Sequence, residues 1–537
     1  MQNERFDTVI VGAGFAGLYM LHKLRRAGRS AIVLEAGSGV GGTWFWNRYP
    51  GCRCDVESMQ YSYSFSDELE QEWRWSERFA AQPEILRYAE HVAERFSLSP
   101  HIRLNTRVVA ARYNEAACRW TLETEQGDRI EAPFCIMATG CLSAGRTPDL
   151  PGLAQFEGET YHTADWPPEG VDLAGKRIGV IGTGSSGIQA IPELARQAGH
   201  LFVFQRTPNY SVPARNGPLQ PEYEADWKSR YPALREEARF SNSGTLYDNG
   251  PSSALDVSPD ERDRVYRARW EVGGPNFLRA FNDLAVDQQA NDTAAEFVRA
   301  RIGEIVHDPA VAAKLMPQGY PIGTKRICVD SGYFETFNRP NVTLIDLREE
   351  PLDSIEADGV RTGARSIPLD VIVFATGFDA VTGALTRMAV IGRGGMKLAD
   401  KWAAGPRTYL GLMTAGFPNM FMITGPGSPS VLSNMLVSIE QHVDWIADCI
   451  EFVGERVIEA DGTAETEWVE HVNVVANQTL YPRAASWYMG ANIPGKPRVF
   501  MPYIGGVGPY RKRCNEVAAN GYDGFVLSTA AVFEDAG

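Results

Sequence analysis

Two glycine-rich stretches carry the residue types that hold phosphate. Gly12-Ala13-Gly14-Phe15-Ala16-Gly17 follows an apolar run and opens a segment of helical periodicity, after which a second apolar run ends in Glu35. Gly12 lets the chain turn tightly, Gly14 lets backbone approach a pyrophosphate, and Gly17 lets the helix lie close on the strand, while the helix N-terminus supplies N–H groups and a positive dipole. Glu35, twenty-three residues beyond Gly12, is placed to accept hydrogen bonds from a ribose diol. The order recurs at Gly182-Thr183-Gly184-Ser185-Ser186-Gly187, running on through Gln189 to the strand that ends in Gln205. Here the twenty-three-residue count falls on Gln205, followed by Arg206 and Thr207, so the acid is missing and a cation stands beside its place. A carboxylate would repel a 2'-phosphate, whereas an arginine can clamp it, so this second site is expected to prefer NADP to NAD. The other reading of Arg206 is a solvated surface charge.

An acid at one cradle and an arginine at the other suggest a flavoprotein, with FAD in the N-terminal unit and NADPH in the second. Hydride transfer from nicotinamide to flavin is the natural reason to put both on one chain. The elements that must position these sites follow from the pattern. The spacing predicts two Rossmann-like βαβ units, and MATG at 137–140 and FATGFD at 374–379 each end an apolar strand in small residues that let backbone run close. Between Val212 and about Tyr320 charged helical stretches take over, and Ser258-Pro259-Asp260-Glu261 reads as an N-cap with a capping box. The fold expected is α/β, two dinucleotide-binding domains with a helical insertion in the second. Its division is FAD domain 1–141, NADP domain 142–211, helical insertion 212–327, NADP domain 328–384 and FAD domain again 385–537. Trp227, Tyr247 and Trp270 could face a substrate or fill the core.

Composition excludes several classes. With 67 acids against 52 bases the formal charge is -15, a field that repels phosphate backbones and anionic lipid, so nucleic acid is not an expected partner. The eight cysteines include no CxxC pair and no Cys/His cluster at zinc spacing, so neither a dithiol redox site nor a metal is expected. The N-terminus lacks a basic flank and apolar core, and a cytoplasmic location is the expectation. Thr408–Ile439 is charge-free but broken by glycine and proline, and it is read as buried loop, strand and helix instead of a membrane span.

FEGETYHTADWP at 156–167 matches FxGxxxHxxxWP at Phe156, Gly158, His162, Trp166 and Pro167, just before the second cradle. On this string the sequence resembles the type I Baeyer-Villiger monooxygenases. GGTWFWNRYPGCRCDVES at 41–58, GTKR at 323–326, GPGSPS at 425–430 and ASWYMGANIPGKPRVF at 485–500 extend the likeness along the chain, nearest the phenylacetone and steroid monooxygenase branch. One departure is Cys52, where the branch often has alanine.

The resemblance implies an enzyme that takes O2, NADPH and a ketone and gives an ester or lactone through a C4a-peroxyflavin. It implies Arg326 as the fixed cation beside that peroxide, Asp55 holding its guanidinium, and Lys325 joining Arg206 on the 2'-phosphate. Thr43, Trp44, Asp55, Tyr61, Val108 and Met435 would line the FAD site, and Trp487 would touch NADP. His162 would belong to a domain-connecting element. Read without the resemblance, Lys325-Arg326 is a solvated basic pair and Met435 fills core space. The rival reading is a flavin monooxygenase that oxygenates nitrogen or sulfur. No obligate protein partner and no membrane association are expected.

Overall fold

In a computed structural model that describes residues 4–363 and 365–529, the run Thr8–Val11 is buried throughout and forms the centre of a five-stranded parallel sheet. The order across it is Met420–Met422, Phe134–Met137, Thr8–Val11, Ala31–Leu34 and Ile102–Arg103. Both faces are covered, which is why its inner strands read as continuous apolar runs without polar alternation. The helices Phe15–Arg26 and Met435–Val453 pack together beside it. A second five-stranded sheet contains Val108–Asn114, whose alternating exposure marks one solvated face.

The other dinucleotide-type unit has its own all-parallel sheet, in the order Val342–Asp346, His200–Gln205, Arg177–Ile181, Val371–Phe374 and Glu159–His162. Its strands come from both sides of the helical stretch, so that stretch is an excursion from one sheet. The short parallel pair Ser211–Pro213 and Cys328–Asp330 closes the neck of the excursion. Four helices fill it: Pro221–Phe240, Pro259–Val272, Gln288–Ile305 and Pro309–Leu315. An antiparallel meander, Leu352–Glu356, Gly359–Thr362 and Arg365–Pro368, has no counterpart in the sequence reading.

Ser258 Oγ accepts the Glu261 N–H at 3.2 Å, as expected of an N-cap. The reciprocal half of the box is not formed, because the Glu261 carboxylate instead accepts from Arg264. Trp227 and Trp270 are buried, and Trp270 packs edge-on to Phe277 and Phe297, so both are core. The 408–439 stretch is buried and holds the strand Met420–Met422 and the turn Ser430–Leu432. Among the described residues no helix is long and apolar enough to cross a membrane, and no cluster of side chains could hold a metal ion.

Candidate active site

The two cradles are built on one steric plan. Gly12 has φ +104, and a Cβ there would stand 2.6 Å from the carbonyl oxygen of Ala138, the second residue of MATG. Gly182 has φ +113 and faces the Ala375 carbonyl of FATGFD in the same way. A Cβ on Gly17 would fall on the Gly12 carbonyl oxygen, and one on Gly187 on that of Gly182. Helix and strand therefore touch backbone to backbone. Both helices begin directly after a glycine, Gly14 or Gly184, with no side chain capping their first N–H groups. Other helices here are capped by Ser66, Ser258, Asp287, Asp308, Asn434 and Asp461. Uncapped N–H groups on a glycine floor suit a phosphate.

At the first cradle a Cβ on Gly42 would stand 2.8 Å from Gly14 Cα, so the groove between these loops exists only because both lack side chains. Glu35, 5% exposed, ends the adjoining strand and accepts the N–H groups of Ala13 at 2.6 Å and Gly37 at 2.7 Å, which fixes its carboxylate at the groove. These features fit FAD. Thr43 and Trp44 open the short helix Thr43–Trp46, and Trp44 Nε1 donates to Tyr61 Oη at 3.2 Å. Val108 is a buried strand residue, and Met435 begins its helix half-buried beside the cluster of Cys141, Val431 and Tyr488.

The second cradle has a cationic margin. Arg206 is exposed at the end of its strand, Thr207 follows it and accepts at its carbonyl from Thr183 Oγ1 at 3.1 Å, and Lys325 places its ammonium 4.3 Å from the Tyr320 ring centroid. Neither Arg206 nor Lys325 has an acidic partner among the described residues. Burial and the neighbouring Arg206 hold the Lys325 ammonium below its usual pKa. Two cations within electrostatic reach of each other, neither with an acidic partner, fit the 2'-phosphate of NADP. Ser185 starts the helix and lies by Cys328, with Oγ and Sγ 3.4 Å apart, and Ser186 is the second residue of that helix. Gln189 turns to the other unit: its Oε1 accepts from Tyr49 Oη at 2.8 Å and its Nε2 donates to the Arg53 carbonyl at 3.1 Å.

That bridge brings residues 49–55 against the second unit and sets Asp55 opposite Arg326. Arg326 donates through Nε to Asp55 Oδ2 at 2.8 Å and through Nη2 to Oδ1 at 2.7 Å. Its Nη1 donates to the Val431 carbonyl at 2.6 Å. The guanidinium plane is thereby fixed on three sides. Burial works against its charge, but the Asp55 carboxylate and the nearby Tyr488 more than offset it and push its pKa well above the ordinary value. The Arg326 side chain stays 30% exposed and that of Asp55 25%, so the pair is reachable. Val431 and Tyr488 were missed in the sequence. The signal for Tyr488 was its place next to Trp487 in ASWYMG.

His162 lies on the edge strand, accepts the Ala164 N–H at Nδ1 and sets Nε2 3.0 Å from the Arg146 carbonyl and 3.2 Å from Thr376 Oγ1. Accepting at Nδ1 makes it neutral, and burial lowers its pKa. It joins the inter-unit linker to FATGFD and stands apart from the Asp55–Arg326 pair. Trp487 packs on Tyr488 at 4.2 Å between centroids and, like Leu142, against the buried cluster of Ala380, Val381 and Met501.

Residues 9–231 match the family model of pyridine nucleotide-disulphide oxidoreductases. All eight cysteines are free thiols, so the likeness is to the nucleotide-binding frame and does not extend to a redox disulfide. A Baeyer-Villiger monooxygenase of Pseudooceanicola batsensis is 42% identical over 533 residues, covering 98% of this chain and 97% of its own. A phenazine N-monooxygenase of Lysobacter antibioticus is 42% identical over 529 residues, covering 97% of each chain. The solved structure of an oxidized steroid monooxygenase bound to NADP is 52% identical, covers 97% of this chain and 99% of its own, and superposes with a TM-score of 0.93.

Proposed function

The chain belongs to the Baeyer-Villiger monooxygenase family, and on that footing we propose that it inserts one oxygen atom of O2 beside a ketone carbonyl to give an ester or lactone, with NADPH as reductant. Bound FAD, reduced by hydride from NADPH, supplies the chemistry with O2. The chain's own residues bind, orient and stabilise charge. The first cradle and Glu35 hold the flavin nucleotide, with Thr43, Trp44, Tyr61, Val108 and Met435 around it. Thr183 to Gly187, Arg206, Thr207 and Lys325 hold NADP, Gln189, expected from the sequence to join them, instead ties this cradle to Tyr49 and Arg53, and Trp487 closes against the cofactor. The division that goes with this reading is an FAD domain at 1–141 and 385–537 and an NADP domain at 142–211 and 328–384, with 212–327 as the insertion that shapes the substrate cleft.

Oxygen insertion beside a carbonyl needs a nucleophilic oxygen anion and then an anionic tetrahedral adduct. Arg326 serves both, because a guanidinium cannot lose its proton at working pH and its N–H groups stabilise developing negative charge. Asp55 keeps the guanidinium plane fixed, so it need not reorganise as charge moves. The observation that carries this reading is the Arg326 guanidinium, held by two Asp55 oxygens and the Val431 carbonyl yet still partly open.

The N-oxygenating relative favours a second reading, in which nitrogen is the atom oxidised. Turnover with NADPH and 18O2 on a panel of ketones and aromatic N-heterocycles decides between them. Ketone-stimulated NADPH consumption with one labelled oxygen in an ester is expected. Arg326→Ala should leave flavin reduction by NADPH in place and abolish the ester. Ester formed by that variant near the wild-type rate would refute the assignment of Arg326, and label found only in an N-oxide would select the second reading.

A further inference from the structure

Arg279 has no role in the oxygenation just described. It ends the short turn Pro275–Arg279 in the helical insertion, where it is half-buried. The acceptor its guanidinium reaches is Asn249 Oδ1, at a long 3.4 Å, and among the described residues it forms no ion pair. In a chain with 67 acids against 52 bases, that is not for want of carboxylates. A guanidinium drawn partly out of water without a counter-ion is unfavourable, and burial accordingly lowers its pKa.

Its neighbours are as informative as its isolation. The Arg279 carbonyl accepts the Gly250 N–H at 2.7 Å and the Ala285 carbonyl accepts the Leu480 N–H at 2.9 Å, which brings the segments of Tyr247 and Tyr481 to this turn, and the Tyr481 ring stands 5.9 Å from that of Tyr488, the neighbour of Arg326; both phenols are within electrostatic reach of Arg279, and Tyr481 also of Arg326. The Tyr247 hydroxyl is buried with no hydrogen-bond partner and lies in the field of Glu57 and Asp55. The Tyr481 hydroxyl makes no hydrogen bond among the described residues, and burial keeps both phenols protonated. One guanidinium with a single long hydrogen bond and no counter-ion, and two phenolic O–H groups with no partner, make a set of donors short of an acceptor. Such a set fits an anion.

We propose that Arg279, with Tyr247 and Tyr481, binds a carboxylate carried by the ketone substrate, so that this enzyme's substrates are oxo acids presenting the carboxylate to Arg279 and the carbonyl to Arg326. This rests on the oxygenating reading above. Tyr481, in reach of both arginines, is the spacer between the two ends.

The test compares a cyclic oxo acid, (2-oxocyclopentyl)acetate, with its uncharged methyl ester. For wild type, Arg279→Gln and Arg279→Lys, the readouts are kcat/KM from product formation and Kd from the flavin absorbance change. Wild type should favour the acid, and Arg279→Gln should lower the acid-to-ester ratio at least about tenfold, the scale of a lost charge-assisted hydrogen bond. Arg279→Lys should restore part of the ratio. If Arg279→Gln does not fold, Tyr247→Phe removes one neutral donor and should lower the same ratio by about threefold. A wild type that prefers the ester, or a ratio unmoved in the folded variants, overturns the proposal. If neither compound is oxygenated but the acid binds wild type more tightly than Arg279→Gln, the anion site stands and the oxygenation reading fails. If the ester is oxygenated and the ratio does not move, the inference fails alone.

Discussion

Arg206→Ala should separate the two reduced nicotinamide cofactors. Arg206 and Lys325 lie within electrostatic reach of each other, neither has an acidic partner among the described residues, and the Lys325 ammonium is already held below its usual pKa by burial and by Arg206, so the pair gains most when a doubly charged phosphate binds both. A hydrogen bond to a charged group contributes about 1.5–3 kcal/mol. Arg206 is exposed, where water and salt screen it, so the low end applies: about 1.5 kcal/mol, or roughly a tenfold rise in the NADPH concentration needed for half-maximal rate. The 2'-phosphate takes no part in hydride transfer and is held equally before and during it, so the limiting rate should stay put. NADH lacks the group and should be unaffected. Anaerobic stopped-flow reduction of the bound flavin, followed by loss of its visible absorbance over a series of NADPH and NADH concentrations, reads both constants. The NADPH constant of wild type should also climb more steeply with added salt than that of Arg206→Ala. Equal proportional losses for NADPH and NADH, or a salt response identical in the two proteins, would remove Arg206 from the phosphate site.

Two further outcomes follow from other parts of the structure. Gly17→Ala drives a Cβ into the Gly12 carbonyl oxygen, a backbone contact that no rotamer relieves, so the purified variant should be colourless or lose its flavin on gel filtration; a fully yellow variant would show that the helix can stand off the strand. Asp330 is a buried acid whose pKa is raised to about 6 from 3.8, with burial the largest cause and the hydrogen bond from Ser211 opposing it. Below about pH 4 both folded and unfolded states hold this proton, and between about pH 4 and 6 the folded state holds more of it, so stability falls across that window and the loss is complete above it. The thermal midpoint of wild type minus that of Asp330→Asn should therefore decline from pH 4 to 6 and level off beyond; a difference that is flat over that range would show that the group does not titrate there.

Why the cradles were legible in the sequence and the cleft was not comes down to distance along the chain. Gly12 and Gly17, or Gly182 and Gly187, are five residues apart and answer to one strand-turn-helix, so residue type and spacing nearly determine their geometry. Glu35 sits at the end of the next strand, and parallel register carries it back to the same turn. The Asp55–Arg326 pair spans 271 residues, and no local pattern states that Gln189 will bridge to Tyr49 and bring the two together. Motif resemblance supplied that pairing, because the motif is a record of tertiary contact. The third anchor of Arg326 escaped even this, since a backbone carbonyl such as that of Val431 leaves no trace in residue type. Glu261 failed for the opposite reason: its spacing from Ser258 is that of a capping box, but Arg264 on the next turn offers its carboxylate a charged partner, and the charged partner wins. Arg279 is harder again, being one arginine among many whose distinction is the lack of a partner, a property that exists only once every neighbour has been placed. The two cradles answer to residue type and spacing within one strand-turn-helix, whereas Arg279 is set apart only by which side chains the insertion leaves without partners.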